Sequence, residues 1–403
     1  MFYENQPTEQ QEQYKLLLGM MGHLSNLFSE SNSPYLAYRV HENIFCKSFQ
    51  AENLARGDDS ADAQKGAIGI GLKTWTGQDD QKVAEFGRLL PQYENLTGIE
   101  LVRKISEFRN IRIRTTKNMH GISTMIYHVV KRVPNMMKIL ECSFDPVDID
   151  NIELIPDRGT ANNIYFTDHN HTYHFSNTKH TLYMIFDDMQ EMDSFPVEIL
   201  SDPYSLLVSA IYATNKLQKP SSISPDIVFS PLGDSSTVNV ELHGDVFVAP
   251  EQLCLKLYTR TGKNTGRQKY VQEKSGLNQW NALGRPRDPN EIYIPYPIED
   301  RRRNENFFPP RDTPFNLRLP DGSIISAKVC QENGKAIMSN PNKVLGKWLL
   351  RDVFELPERT LVTYDMLVQF GIDSVVFTKH SDSDYSVDFS EIGTYEEFYG
   401  ENE

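Results

Sequence analysis

The sequence predicts an α/β first half joined to an all-β second half, and three observations carry that expectation. Up to about residue 212, apolar residues recur now at helical spacing and now in short β-rich runs, so helices and strands interleave. Beyond residue 226 the runs are short, rich in β-formers and separated by turns such as Asp321-Gly322, the layout of a mostly antiparallel barrel. Between the two, residues 214–226 (TNKLQKPSSISPD) have the Pro/Ser/Lys composition of a linker. A chain of 403 residues also exceeds what one core usually covers. The expected division is a first domain at 1–215, a linker at 216–226 and a second domain at 227–403.

Taken in order, residues 9–29 place Tyr14, Leu17, Leu18, Met21 and Leu24 at helical spacing. Pro34 opens a second helix, about Tyr35 to Asn53, with Ile44, Phe45 and Phe49 inward and Glu42, Cys46 and Glu52 near one another. Ile70 to Trp75, bounded by Gly66, Gly69 and Gly77, reads as a buried strand. Asp79 to Leu90 carries Val83, Phe86 and Leu90 at helical spacing, which predicts a helix with Glu85 near its edge. Residues 98–109 read as a basic helix, and 110–116 as a strand with Ile111 and Ile113 on one face and Arg112 and Arg114 towards phosphate. Further strands are expected over 121–132, Met137 to Phe144 and Ile164 to Tyr173, the last turning at Asp168-His169-Asn170, and a helix over 203–212. In the second half the expected strands are Thr237 to Leu242, Val246 to Val248, Leu253 to Tyr258, Glu291 to Ile294, Phe315 to Leu319, Ser323 to Val329 and Ala336 to Met338.

Charge is segregated. The net charge is −14, yet residues 101–138 hold nine Lys/Arg against one acid, and residues 256–287 hold eight against one. Residues 140–203 hold thirteen acids against two bases, and the last 23 residues carry eight acids and no base. Two basic blocks in an acidic chain favour a polyanionic partner over a uniformly solvated surface. No apolar run approaches the roughly 18 residues of a membrane span, and the polar N-terminus lacks a signal layout, so a cytoplasmic protein is expected. Cys46, Cys142, Cys254 and Cys330 are far apart with no CxxC pair, which argues against a zinc ribbon or a disulfide framework.

The stretch from Ser60 to Glu85 carries the chemistry. Asp62 precedes the strand, Lys73 projects from it on the same face as Gly71, and Glu85 follows. Lys73 has no acid on its own strand and needs a partner from elsewhere, Asp62 being nearest and Glu85 able to swing towards it. Glu42 is the best candidate for an acid held over this site, with a salt bridge to Arg39 or Lys47 as its alternative. Metal-assisted phosphodiester hydrolysis needs hard oxygen ligands and a group that positions the attacking water, and this set supplies both. The plainer alternative makes Lys73 a snorkelling edge residue and Asp62 a cap. His169, His171, His174 and His180 invite a metal reading, but strand geometry sends His171 and His174 to opposite faces, and hairpin histidines near DNA are the preferred reading.

The same segment resembles the PD-(D/E)xK nuclease core, in which an acid precedes a strand carrying an acid-x-lysine triplet. Here Gly71 stands at the triplet's acid, so the resemblance implies that another carboxylate has taken over, and Glu85 fills the vacancy. The run from Arg39 to Glu85 also resembles nuclease domains of type II restriction endonucleases, which implies that Glu42 of the helix faces the site. SGLNQWNALGRPRDPNEIYIPYP (275–297) and FFPPRDTPFNLRLPDGSIISAKVCQENGKAIMSNPNKVLGKWLLRDV (307–353) resemble the C-terminal B3-like DNA-recognition domain of certain type II restriction endonucleases. That likeness implies a pseudobarrel gripping the major groove with two arms, around 274–287 and 333–343. The first arm offers Lys274, Asn278, Gln279, Asn281, Arg285 and Arg287, and the second offers Gln331, Asn333, Lys335, Ser339, Asn340 and Asn342. Arg on guanine and Asn or Gln on adenine are the bidentate contacts the major groove permits, while Lys and Ser suit phosphate. Trp280 and Trp348 read as packing anchors.

Together the resemblances imply a sequence-specific restriction endonuclease acting on double-stranded DNA with Mg²⁺ as cofactor. Asp62 and Glu85 would hold the ion, Lys73 would orient the attacking water and Glu42 would assist. Cutting both strands needs two catalytic sets where each chain offers one, so a homodimer joined through the first domain, by the apolar stripes of residues 9–29, is expected; a cognate DNA methyltransferase is expected as a separate protein. The alternatives are a non-catalytic B3-like DNA-binding regulator and an endonuclease specific for modified DNA.

Overall fold

A computed structural model describes residues 1–54, 59–160, 162–213, 250–260 and 268–400. The expected linker at 216–226 and the expected strands Thr237 to Leu242 and Val246 to Val248 lie outside the described residues.

The N-terminal region is layered around a six-stranded sheet in the order β1-β2-β3-β5-β6-β11. Its strands are β1 (Glu52–Asn53), β2 (Ala63–Lys65), β3 (Ile68–Trp75), β5 (Thr124–Val133), β6 (Met136–Ser143) and β11 (Gln190–Pro196). β3 and β5 run parallel, Gly71 opposite Tyr127 and Lys73 opposite Val129. Helices α1 (Thr8–His23) and α2 (Tyr38–Phe49) cover one face, where Tyr14, Leu18, Phe45 and Phe49 pack on Ile70, Leu72, Val130 and Ile139. The other face is covered by α3 (Gly98–His120) and by a second sheet, β4-β10-β9-β8-β7. That sheet comprises β4 (Asp80–Glu85), β7 (Glu153–Leu154), β8 (Asn163–Thr167), β9 (Thr172–Ser176) and β10 (Thr181–Ile185), and α4 (Pro203–Ala213) follows β11.

Three local expectations are corrected. The stretch around Glu85 is strand β4, because β10 lies alongside and pairs Asp80 to Glu85 with Ile185 to Thr181. A partner a hundred residues away supplies hydrogen bonds that local spacing does not reveal. The Ile/Arg alternation at 110–116 lies inside α3, a 23-residue helix ended by Gly121 at φ +64°, a left-handed position that suits glycine. Leu101, Ile105, Phe108, Ile113, Thr116 and Met119 recur at helical spacing along it and are buried. Helix α2 ends at Phe49, with Gln50 left-handed, so Glu52 belongs to β1 and not to the helix of Glu42.

In the C-terminal region a seven-stranded sheet runs β12-β19-β20-β16-β17-β18-β15, and its edge strands β12 and β15 approach each other, nearly closing a barrel. The strands are β12 (Gln252–Lys256), β15 (Ile294–Pro295), β16 (Pro314–Arg318), β17 (Ile324–Cys330), β18 (Ala336–Ser339), β19 (Ile372–Lys379) and β20 (Asp384–Glu391); the pair β13 (Thr259–Arg260) and β14 (Lys269–Tyr270) stands apart. Pairing is antiparallel except between β16 and β20. β19 and β20 were not foreseen, and the strand expected at Glu291 to Ile294 is only Ile294–Pro295. Short helices α5 (Ile298–Arg303), α6 (Val344–Gly346, continuing as a π-helical turn Lys347–Val353), α7 (Tyr364–Phe370) and α8 (Thr394–Tyr399) close the ends, and Trp348 is buried in the core against Phe389.

The two regions touch through α3. Met119 is part of the C-terminal core, Ile392 part of the N-terminal one. Asn118 donates to the Val353 carbonyl (3.2 Å), Arg114 pairs with Glu355 (3.0 Å), and Gln369 donates to Gln92 (2.7 Å). Among the described residues no helix is long and apolar enough to cross a membrane.

Candidate functional site

Asp62 lies where the chain enters β2. Its N–H donates to the Ile70 carbonyl (2.9 Å), its carbonyl accepts from Leu54 (3.0 Å), and its Oδ2 accepts the Leu72 N–H (2.6 Å). The β3 backbone thus fixes the carboxylate beside Lys73. Burial raises the Asp62 carboxyl above its ordinary range, with Lys73 and the Leu72 N–H pulling the other way. Glu42, only 6% exposed on α2, is raised by burial and then by the charge of Asp62, against Arg39 (3.1 Å) and Lys73. Asp62, Lys73 and Glu42 therefore feel one another directly. Cys46, one turn along α2 from Glu42, is pushed up to about 11 by burial and by both carboxylates, which keeps its thiol protonated. Lys73 is half-buried and makes no hydrogen bond or ion pair among the described residues.

Asp62 and Lys73 open into a cleft of about 620 Å³ whose far wall is β4. Glu85 is on that wall. It is exposed and its carboxylate is bonded to Lys82 (2.7 Å), so it is a feature of the opposite sheet and not an acid swinging over Lys73 from a helix. Glu42 faces a neighbouring cleft of about 730 Å³, and the two clefts meet at Asp59 and Glu391. A side chain at position 71 is excluded: a Cβ there would stand 2.8 Å from Tyr127 Cδ1 and 3.0 Å from Phe144 Cδ1, two rings stacked at 4.0 Å. An acid at this point would require the aromatic pair to move.

Sequence reasoning passed over three groups at the cleft. Asp59 is clamped by His120 Nε2 (3.1 Å) and Thr116 Oγ1 (3.3 Å) at the end of α3. Burial alone would lower His120, but Asp59 outweighs it and the imidazole is raised. Glu391 comes from the C-terminal region, as does Ile392, whose carbonyl accepts from Arg88 (2.5 Å). Arg109 sits in the floor at 3% exposure. None carries a local signal, because each partner is tens to hundreds of residues away. The four hairpin histidines disperse: His174 stacks between Tyr165 and Tyr183, His180 meets Tyr93, His171 meets Ser143 and His169 faces Glu153. Among the described residues no three His, Cys, Asp or Glu side chains gather as a metal-binding group.

The expected reading arms divide into exposed and committed residues. Asn278 is 1% exposed and spends its amide on the Gln272 and Val362 carbonyls and the Val362 N–H. Ser339 is equally buried, its hydroxyl bridging the Pro341 carbonyl and the Leu345 N–H. Arg287 is bonded to the buried Glu291, and the Gln279 amide oxygen, suitably turned, accepts from Arg287 at 2.9 and 3.2 Å. These four, expected as contacts to DNA, are engaged within the arms. Arg285 is 53% exposed although it reaches Glu291 (2.7 Å). Lys274, Asn333, Lys335 and Asn340 are exposed; Asn281, Gln331 and Asn342 are half-buried, Asn281 donating to the Glu273 carbonyl. The second arm is split by β18: Gln331 to Lys335 lie at its start, whereas Asn340 and Asn342 lie at its end, where Lys343 approaches Asp288 of the first arm (3.9 Å).

Residues 252–381 match the family model of the NgoFVII C-terminal B3-like DNA-binding domain. The match runs from β12 to the start of the β19–β20 turn, includes both arms, and covers under a third of the chain. No curated protein matches the chain.

Proposed function

We propose that the chain is a sequence-specific type II restriction endonuclease that hydrolyses double-stranded DNA, its C-terminal B3-like domain finding the site and its N-terminal region cutting. The observation that carries the reading is the meeting of buried Asp62 and Glu42 with unpaired Lys73, in a chain whose C-terminal region matches a DNA-binding domain. Two carboxylates raised by burial, Glu42 also by the charge of Asp62, fit Mg²⁺, which takes few protein ligands and completes its shell with water and phosphate oxygens. Asp62 and Glu42 would hold the ion, which when bound supplies Lewis-acid polarisation of the phosphate.

In this reading Lys73, held beside Asp62 by β3, donates to and orients the attacking water. Leu72 N–H keeps the Asp62 carboxylate from rotating away. Glu85, assigned to the metal by resemblance, is given to the cleft wall instead. Arg285, Asn340 and their exposed neighbours read bases, while Arg287, Asn278, Gln279 and Ser339 hold the arms in shape. Two copies cut the two strands; the exposed Leu16 and Met20 on α1 offer an apolar contact for that pairing. A separate methyltransferase would protect the host site.

Unmethylated phage DNA incubated with Mg²⁺ should give discrete fragments, suppressed by EDTA. Band shifts without cleavage support the non-catalytic regulator instead, and fragments from methylated DNA alone support the modification-dependent enzyme.

A further inference from the structure

We infer that Arg109 is an anion receptor in the floor of the cleft, built to take a phosphodiester oxygen of the DNA strand presented to Asp62 and Lys73. Its ligand class rests on the nuclease reading; the site itself rests on geometry. Arg109 projects from α3 at 3% exposure. Its Nη1 donates to the Asp145 carbonyl (2.8 Å) and its Nη2 to the Tyr127 hydroxyl (3.3 Å). The guanidinium also lies 5.4 Å from the Phe144 ring centre and 5.7 Å from that of Tyr173. All these partners are neutral. Among the described residues no carboxylate forms an ion pair with Arg109, and a buried guanidinium without a counter-charge is unfavourable unless something supplies one.

No neighbouring acid bonds to it. Asp168 answers its charge in part through space, while its own oxygens accept from the N–H groups of Asn170, His171 and Asp148. Glu85, on the opposite wall of the same cleft, is already paired with Lys82. The space beside Gly71 is filled by Tyr127, whose hydroxyl meets Arg109, so the cleft floor behind β3 leads to a cation. A planar fork with five N–H donors, two of them engaged, suits a tetrahedral oxyanion better than an ammonium would.

The probe is inorganic pyrophosphate, followed by thermal unfolding of the full chain in EDTA at constant ionic strength. Wild type should be stabilised saturably. Arg109→Gln should weaken the apparent affinity at least tenfold, and Arg109→Lys, which keeps the charge and loses the fork, should fall between. Equal stabilisation of wild type and Arg109→Gln, or none of wild type, overturns the inference. Should Arg109→Gln not fold, Arg109→Lys decides: an unchanged pyrophosphate affinity counts against the site and a weakened one supports it. The nuclease reading fails separately, by absence of Mg²⁺-dependent cleavage in a wild-type protein that still binds pyrophosphate through Arg109.

Discussion

The two halves of the molecule treat charge in opposite ways. In the C-terminal arms each buried charge has been answered within the fold: Arg287 and the half-exposed Arg285 converge on Glu291, and Gln279 lends its oxygen to Arg287. In the N-terminal cleft the charges are left in tension, with Glu42 and Asp62 raised by burial and Lys73 without a bonded partner. A surface that must be sampled against many DNA sequences stays self-consistent until its target arrives. On the proposed reading, a site that receives an ion and a phosphate keeps unpaid electrostatic debts, the stability cost that active sites commonly carry.

The largest test of this contrast is catalytic. Lys73→Ala and Asp62→Ala should each lower the cleavage rate by about 10³-fold, on the scale of losing a positioned electrostatic group, while specific binding measured by gel shift stays within about twofold. Cleavage by Lys73→Ala at the wild-type rate would remove the site from this cleft. Next, Glu42→Gln should cost about a hundredfold in rate and Glu85→Gln less than about threefold, since only Glu42 shares its field with Asp62 and Lys73. Single-turnover rates in the reverse order would return the second carboxylate to β4.

In the arms the effects are smaller and of two kinds. Arg287→Ala should destabilise the fold, by about 3–5 kcal/mol if Glu291 stays charged and buried with only the exposed Arg285 to answer it. Arg285→Ala should leave the melting temperature nearly unchanged and relax base preference at one position by about 1–3 kcal/mol. Competition against single-base site variants separates the two; a uniform loss of affinity for Arg285→Ala would make it a phosphate clamp.

What the sequence made legible follows the same division. The strand carrying Lys73, the helix carrying Glu42 and the hairpin β16–β17 were foreseen because their signals are local: a bounded apolar run, a 3.6-residue period, an Asp-Gly turn. β4 was misread because its partner β10 is distant, and the C-terminal half of α3 because Ile111 and Ile113 mimic a strand's alternation while the helix packs on another region. In the arms, composition pointed to polar side chains suited to bases but not to which are spent inside: Asn278 and Ser339 look like readers until their backbone partners are seen. Asp59, Arg109 and Glu391 at the cleft were illegible for the same reason, being defined by neighbours far along the chain.

The smallest effect is the one that distinguishes tension from ordinary pairing most directly. Because burial raises the Asp62 carboxyl above its unfolded value of 3.8, the folded state disfavours its ionised form. The sign follows: protonated Asp62 costs the fold nothing, and stability is lost as pH rises through the raised value. Asp62→Asn keeps an oxygen for the Leu72 N–H and removes the charge, so at pH 7 it should raise the melting temperature, by roughly 2–4 °C for each kcal/mol relieved. At lower pH, as the folded wild-type protein takes up the proton, the gap between the two should narrow. Added Mg²⁺ should stabilise wild type and leave the variant much less affected, since the cation answers a charge that only wild type carries. Calorimetry at the two pH values reads all three, and an Asp62→Asn protein that melts below wild type at pH 7 would show that Lys73 and the Leu72 N–H already compensate the carboxylate in full.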